Sequence, residues 1–312
     1  MHKACRRPRA LRPGDRLAIV APASPFDRAE FEAGVAEIGR LGFVPVYDDR
    51  VFARRGYVAG DARPRAEALR EALRDPSVAG ILCARGGYGS VQMLPFLDAR
   101  EIARAAKPIV GYSDVTSLLV FVTGQAGLVS FHGPMIAGRL ARGPEGYDEA
   151  SFLGALTAAA PLGEVGAGTL RTIVPGSATG TLVGGTLTQL LASLATPYAF
   201  DPPAGHVLFV DEVNERPFRL DRMLTQLRLT GLLARAAAIV FGELPGCDEP
   251  GGGPTAVDVV TDLLGDFPGP VVMGLPSGHT TRRALTLPFG VTSTVRASTD
   301  ASLVIEEAAV EP

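Results

Sequence analysis

The first 135 residues alternate between short apolar segments and longer amphipathic ones, and this alternation limits the fold more than any other feature of the chain. The apolar segments have the length of buried strands and read "DRLAIVAPAS", "FVPVYDD", "VAGILC", "KPIVGY" and "LVSFHGPM". The segments between them, such as 26–42 and 62–77, have helical periodicity. Strands that alternate with helices usually pair in parallel. We therefore predict an α/β fold that begins with a doubly wound, mostly parallel sheet.

The pattern changes in the second half of the chain. From about residue 138 to 174 it weakens to a loop, one helix and glycine-rich sequence, and from 175 onward short β segments mix with helices. We predict an N-terminal α/β domain at 1–140, a linker at 141–174 and a C-terminal mixed α/β domain at 175–312.

Composition excludes several classes of function. The 312 residues are 46% apolar and 20% charged with a formal net charge of −3, which favours a globular protein without a nucleic-acid partner. No apolar run reaches the roughly 18 residues of a membrane span, and the basic N-terminus lacks the apolar region of a signal peptide, so we predict no membrane partner and a cytoplasmic location. Cys5, Cys83 and Cys247 show no metal-ligand spacing and no disulfide framework, and we interpret Cys83 as a buried structural thiol. We expect no cofactor.

Polar residues cluster where three predicted strands end, in "ARGGYGS", "GYSD" and "FHGPM". The carboxyl ends of parallel strands are where active groups collect in such sheets. Ser113 lies on a strand-to-helix turn, a position that suits a nucleophile or an ordinary helix cap. The glycine turn could cradle a phosphate, or one of its N–H groups and that of Asp114 could form an oxyanion hole. Arg85 could bind a substrate carboxylate through both guanidinium nitrogens.

A nucleophilic serine needs a base, and the chain has four histidines: His2, His132, His206 and His279. Most histidines are structural, but the glycine before His279 makes an open turn that favours it as the base. Asp211 and Glu212 follow a predicted strand, where they could orient a base or cap a helix.

Six ordered segments give the chain a resemblance to the LD-carboxypeptidase family: "ARGGYGS", "GYSDVTSLL", "FHGPM", "GGTLTQLLASLATPY", "DEVNERPFRLDRML" and "GLPSGHTTRRALTLPFG". These are serine peptidases of murein tetrapeptide recycling, related to microcin-immunity peptidases. The resemblance covers residues 16–295 and implies a metal-free Ser–His–Glu triad shared between two domains, and a homodimer. It implies that Ser113 is the nucleophile and His279 the base, with an oxyanion hole at Gly87 and Asp114.

The chain departs from the family pattern at two positions. The family strand commonly ends in Glu–Asp, whereas this chain has Asp211 followed by Glu212, so Asp211 aligns with the triad acid and Glu212 is the alternative. The family also often has Asn where this chain has Thr186.

The sequence thus favours a serine carboxypeptidase that releases the terminal D-alanine of murein tetrapeptides, with Arg85 as a candidate for the substrate carboxylate. Three alternatives remain open. One is cleavage of aminoacyl-nucleotide antibiotics, as in the microcin-immunity branch. Members of that branch bind an aromatic nucleobase, which a tryptophan in the cleft would favour, and this chain has no tryptophan. The others are a homologue that binds ligands without cleaving them, and a phosphate-binding module built on "RGGYGS".

Overall fold

The computed structural model describes residues 4–312, so His2 lies outside the described part of the chain. The first sheet has five parallel strands: β1 (Arg16–Val20), β2 (Val44–Val46), β3 (Val78–Cys83), β4 (Ile109–Gly111) and β5 (Ser130–His132). Their order across the sheet is β5-β4-β3-β1-β2. Because the strands are parallel, β3, β4 and β5 present their carboxyl ends, and the polar segments that follow them, at one edge of the sheet.

Helices connect these strands, as the alternating pattern predicts: α1 (Arg28–Arg40), α2 (Ala62–Arg74), α3 (Ala99–Ala105) and α4 (Thr116–Val120). The α1 helix begins where the side chain of Asp27 accepts the N–H of Glu30 at 3.0 Å. Its apolar face buries Phe31 and Ile38 completely against the sheet.

The segment 141–174, for which the sequence predicts a linker, contains regular structure: α5 (Glu149–Thr157), β6 (Pro161–Val165) and β7 (Arg171–Val174). Gly163, Gly166 and Gly168 all have positive φ, and these turns interrupt the alternation by which a strand is recognised in sequence. Both strands join the second sheet through partners that lie far away along the chain.

The second sheet is mixed and has eight strands. After β6 and β7 it contains β8 (Gly176–Thr186), β9 (His206–Asp211), β10 (Ala236–Gly242), β11 (Val271–Leu275), β13 (Thr292–Ala297) and β14 (Ser302–Ala308). The short strand β12 (Leu287–Phe289) lies between β11 and β13 in the chain. The order is β6-β14-β13-β8-β9-β10-β11-β7, with β8 to β11 parallel. Helices α6 (Leu187–Ser193), α7 (Pro217–Leu229) and α8 (Ala256–Leu264) complete this half. The predicted fold class, a mostly parallel N-terminal sheet followed by a mixed α/β half, is confirmed.

Strand β12 does not belong to the second sheet, although the sequence places it within the C-terminal domain. It pairs antiparallel with β5, with Pro288 opposite Phe131, and so extends the first sheet. Phe289 of β12 packs near Phe209 of β9, with ring centroids 6.2 Å apart. One apolar core therefore runs from the first sheet into the second, and it holds the two halves of the chain in a defined position.

Candidate active site

The turn after β4 presents Ser113 in a strained conformation. Its φ is +62°, a region that non-glycine residues seldom occupy, and it begins a short 3₁₀ turn that leads into α4. Ser113 is partly exposed, and its hydroxyl forms no hydrogen bond with any other residue of 4–312. The backbone thus holds a free hydroxyl at the carboxyl end of β4, the geometry of a strand–nucleophile–helix turn.

The glycine turn after β3 lies directly against this serine. A Cβ on Gly86 would approach the Cβ of Ser113 to 2.9 Å and its Oγ to 3.2 Å, so a side chain at 86 would displace the hydroxyl. Gly87 has φ +96°, and a Cβ there would meet the Oγ of Ser24 at 2.4 Å. The N–H groups of Gly87 and Asp114 have no acceptor among the described residues. Two unpaired donors therefore lie in the two turns that meet at Ser113.

Two serines that sequence reasoning missed support these turns. The Oγ of Ser24 accepts the N–H of Tyr88 at 3.0 Å and donates to the carbonyl of Tyr57 at 2.8 Å. The N–H of Ser90 donates to the carboxylate of Asp114 at 2.8 Å, which joins the end of the glycine turn to the residue after Ser113. Ser24 lies in none of the six motifs of the family resemblance, and Ser90 ends the glycine turn, but no local pattern records their partners, which lie at least 24 residues away.

Arg85, the candidate for a substrate carboxylate, begins the glycine turn. Its side chain is exposed and forms no ion pair or hydrogen bond with the described residues. The guanidinium is therefore available to an anionic ligand near Ser113.

His279 and Asp211 form a hydrogen-bonded pair. The Nδ1 of His279 lies 2.8 Å from the Oδ2 of Asp211, and the backbone N–H of His279 donates to Oδ1 at 3.1 Å. Asp211 is fully buried at the end of β9, and His279 lies in the loop after β11. Burial alone would lower the pKa of His279, but the hydrogen bond and charge of Asp211 raise it above its usual value. The pair leaves the Nε2 of His279 available to accept a proton.

Glu212 points away from His279, because successive side chains of a strand face opposite sides of the sheet. Its carboxylate accepts the N–H and the hydroxyl of Thr188, at 2.9 and 2.7 Å, at the start of α6. Burial raises the pKa of Glu212 despite these hydrogen bonds. Of the two acidic residues, Asp211 contacts the imidazole and Glu212 caps a helix.

A second imidazole faces the same carboxylate. The Nε2 of His132 lies 4.0 Å from the Oδ2 of Asp211, and its Nδ1 lies 3.2 Å from the Oγ of Ser277. Burial lowers the pKa of His132 to about 4, so its ring is neutral at pH 7. The sequence signal for this residue is its position at the end of β5, but the pattern alone assigns it no partner.

The two halves of the chain meet beside Ser113. A Cβ on Gly185 would lie 2.5 Å from the methyl carbon of Thr116, and the N–H of Thr186 donates to the hydroxyl of Thr116 at 3.1 Å. Thr186 also donates to Asp211 at 3.4 Å, so the position where the family often has Asn still contacts the acid. This close approach brings the end of β8 against the start of α4.

Tyr112 connects the serine side of the site to the histidine side. Its ring centroid lies 5.3 Å from that of His279 in an edge arrangement. No hydrogen bond joins Ser113 to His279 within residues 4–312. Catalytic hydrogen bonds are often long in ligand-free enzymes and shorten when substrate binds. A cavity of about 440 Å³ opens beside Tyr112 and is also lined by Arg139.

Three further findings concern metal binding, membrane spans and Cys83. Within 4–312, no group of three or more His, Cys, Asp or Glu side chains is placed to hold a metal ion, and none of the helices there has the length and apolarity to cross a bilayer. Cys83 is buried in β3, and burial raises the pKa of its thiol to about 12, which is consistent with a structural role.

Comparison with known proteins places this geometry in a family. The LD-carboxypeptidase N-terminal domain matches residues 17–133, and the LD-carboxypeptidase C-terminal domain matches residues 179–295. A Streptomyces coelicolor protein named as a carboxypeptidase is 37% identical over 94% of both chains. The murein tetrapeptide carboxypeptidase of Pseudomonas aeruginosa is 29% identical over 85% of this chain and 88% of its own.

The Escherichia coli microcin C7 self-immunity protein is 27% identical over 87% of this chain and 86% of its own. Among solved structures, the muramoyltetrapeptide carboxypeptidase of Oxalobacter formigenes superposes with a TM-score of 0.82 at 28% identity, covering 94% of this chain and 99% of that one. The microcin immunity protein in complex with aspartyl sulfamoyl adenosine has a TM-score of 0.89 at 24% identity, covering 98% of this chain and all of that one, and shows the shared fold. The chain therefore belongs to the LD-carboxypeptidase family of peptidases.

Proposed function

We propose that the chain is a serine LD-carboxypeptidase that releases the terminal D-alanine from murein tetrapeptides. The observation that carries this proposal is the pairing of His279 with the buried Asp211 next to the strained turn that presents Ser113. The relatives named as murein tetrapeptide and muramoyltetrapeptide carboxypeptidases support the choice of substrate.

The proposed reaction begins when the Oγ of Ser113 attacks the carbonyl carbon of the peptide bond that precedes D-alanine. The Nε2 of His279 takes the hydroxyl proton, and Asp211 holds the imidazole in the tautomer that leaves Nε2 free. The N–H groups of Gly87 and Asp114 stabilise the oxyanion, and each such donor contributes on the order of 3 kcal/mol to lowering the barrier.

When the tetrahedral intermediate collapses, the carbon–nitrogen bond breaks and His279 returns the proton to the leaving amine of D-alanine. Water then attacks the acyl-enzyme with His279 again as the base, and Ser113 recovers its proton as the shortened peptide leaves. A carboxypeptidase must also recognise a free terminal carboxylate. We assign this role to Arg85, whose guanidinium is exposed and unpaired among the described residues.

A second candidate substrate class is an aminoacyl-nucleotide, which the relationship to the microcin immunity protein favours. The same groups would act on its acyl bond. A tryptophan in the cleft could stack on the nucleobase of such a substrate. This chain has no tryptophan, which argues against this second class. The homodimer and the cytoplasmic location expected from the sequence remain predictions, and sedimentation of the purified chain tests the first.

The test is to incubate the chain and its Ser113→Ala variant with murein tetrapeptide and to measure free D-alanine by mass spectrometry. We expect release by the wild type only. Release by both proteins would overturn the role of Ser113. No release by a folded wild type, together with cleavage of an aminoacyl sulfamoyl adenosine, would replace the murein substrate by the second candidate.

A further inference from the structure

Arg139 is a charged residue that the proposed reaction does not use, yet its side chain is almost completely buried. Only 8% of the residue is exposed, and no Asp or Glu of the described chain lies within ion-pair distance of it. A buried charge without a counterion is costly unless its donors are hydrogen-bonded. The partners of Arg139 therefore indicate what the side chain does.

Its hydrogen bonds to backbone carbonyls all go to the loop that carries His279. One terminal nitrogen donates to the carbonyl of Arg282 at 3.1 Å, and the other donates to the carbonyls of Gly278, at 3.3 Å, and Thr280. The carbonyls of Gly278 and Thr280 flank His279 on both sides in the chain. The rigid fork of a guanidinium can satisfy several carbonyls of one loop, which a single ammonium group cannot do in the same geometry.

Arg139 is itself fixed to the sheet that carries the nucleophile. The N–H groups of Ile136 and Ala137 donate to the carbonyls of Cys83 and Ala84 at the end of β3, at 3.3 and 2.9 Å. The next residue after Ala84 begins the glycine turn that lies against Ser113. Arg139 also lines the same cavity as Tyr112, the residue that precedes Ser113.

The opposite side of the loop is held from the second sheet. The carboxylate of Glu243, directly after β10, accepts the hydroxyl of Thr280 at 2.7 Å and the N–H of Thr281 at 2.8 Å. Arg139 donates hydrogen bonds to the carbonyls of the loop, and Glu243 accepts hydrogen bonds from its hydroxyl and N–H groups. Each half of the chain therefore contributes one side chain that positions the loop.

The geometry points to Arg139 as the positioning residue that sets the distance between His279 and Ser113. This inference rests on the proposed role of His279 as the base. It assigns the alignment of a base on one half of the chain with a nucleophile on the other to this buried guanidinium, which acts opposite Glu243. A misplacement of about 1 Å at such a site can reduce turnover by about 100-fold without contact with the substrate.

The test compares Arg139→Lys with Arg283→Gln. Lysine keeps the positive charge but loses the fork. Arg283 is the matched control, because it lies on the same loop and connects it to Glu145 at 2.6 Å, also in the first half of the chain, but through an exposed ion pair. Exposed pairs contribute little to stability.

The first measurement needs no substrate. A histidine Nδ1–H bonded to a carboxylate gives a far-downfield proton resonance, which Asp211→Asn identifies by its loss. We expect Arg139→Lys to broaden or shift this resonance and Arg283→Gln to leave it unchanged. The second measurement is kcat and KM on murein tetrapeptide, where we expect kcat of Arg139→Lys to fall about 10- to 100-fold with little change in KM.

A folded Arg139→Lys with the wild-type resonance and the wild-type kcat would overturn the inference. If that variant does not fold, the inference is tested instead by hydrogen exchange of the backbone amides in the wild-type chain. The hydrogen-bonded N–H groups of the loop, those of His279, Thr281, Arg282 and Ala284, must then be protected as well as those of the second sheet, and rapid exchange there would overturn the inference. If the wild type cleaves no peptide, the proposed substrate fails while the proton resonance still tests Arg139.

Discussion

The two sides of the candidate site are built in different ways. The serine side consists of turns that follow β3 and β4 directly, and its geometry depends mainly on local backbone features, the positive φ of Ser113 and of Gly87, with Ser24 and Ser90 as supports. The histidine side depends on contacts between distant parts of the chain, such as that of His279 with Asp211, 68 residues away. The first side is therefore sensitive to substitutions that change the backbone, and the second to substitutions that remove a side-chain partner.

The largest effect should come from the histidine side. We expect Asp211→Asn to lower kcat about 10⁴-fold, because the amide no longer holds His279 in the tautomer that leaves Nε2 free. The adjacent Glu212→Gln should keep kcat close to wild type, since Glu212 bonds Thr188 and not the imidazole, and should lower stability by about 1 kcal/mol.

Steady-state kinetics and urea unfolding of both variants check this prediction. If Glu212→Gln lost activity and Asp211→Asn retained it, the assignment of the acid would be reversed.

A backbone substitution on the serine side should have the next largest effect. Gly87→Ala places a Cβ at a positive φ and within 2.4 Å of the Oγ of Ser24, so the turn must shift and its N–H must move. The loss of one oxyanion donor costs about 10²- to 10³-fold in kcat. Gly124→Ala is the control, because φ there is not positive and nothing lies within 4 Å of the added carbon. Equal kcat for both variants would remove Gly87 from the oxyanion hole.

The same contrast explains what could be predicted from the sequence. The strand–helix alternation predicts the first sheet and places Ser113 and the glycine turn at strand ends, because these features are local. Three features could not be predicted: the placement of β12 beside β5, the strands within 141–174, and the hydrogen bonds of Arg139 to the loop of His279. Each depends on residues that are at least 97 positions apart, and no local periodicity or spacing records such contacts. The residues alone leave Asp211 and Glu212 as candidates either to orient a base or to cap a helix, and only the family resemblance pairs Asp211 with His279.

Substitution of Arg85 should have a smaller effect, and it distinguishes substrate binding from the chemical step on the serine side. We expect Arg85→Gln to raise KM for murein tetrapeptide about 10-fold or more with kcat largely retained, since a hydrogen bond to a charged group contributes about 1.5–3 kcal/mol. A tetrapeptide with a C-terminal carboxamide sharpens the test. The wild type should prefer the free carboxylate, and Arg85→Gln should lose that preference. A preference that survives the substitution would assign the carboxylate to another group.

The smallest effect concerns stability and compares the two imidazoles that face Asp211. His132 has a folded pKa of about 4, below the value of about 6.5 in an unfolded chain. Between these values the unfolded chain binds a proton that the folded chain does not, so the free energy of unfolding falls as the pH decreases through this window. The pKa of His279 is raised, so its contribution has the opposite sign: it is present below pH 6.5 and is lost as the pH rises through the folded value.

The two contributions can be separated by His132→Gln, which removes only the first. Burial is the main cause of the low pKa of His132, and Asp211 and His279 are the charged groups that act on it. From pH 7 to pH 5, His132 should therefore cost the wild type about 2 kcal/mol of stability that the variant does not lose. Urea unfolding of both proteins at the two pH values measures this difference. If the two proteins lost the same stability, His132 would be able to take up a proton in the fold, and the carboxylate of Asp211 would be shared by both imidazoles rather than committed to His279.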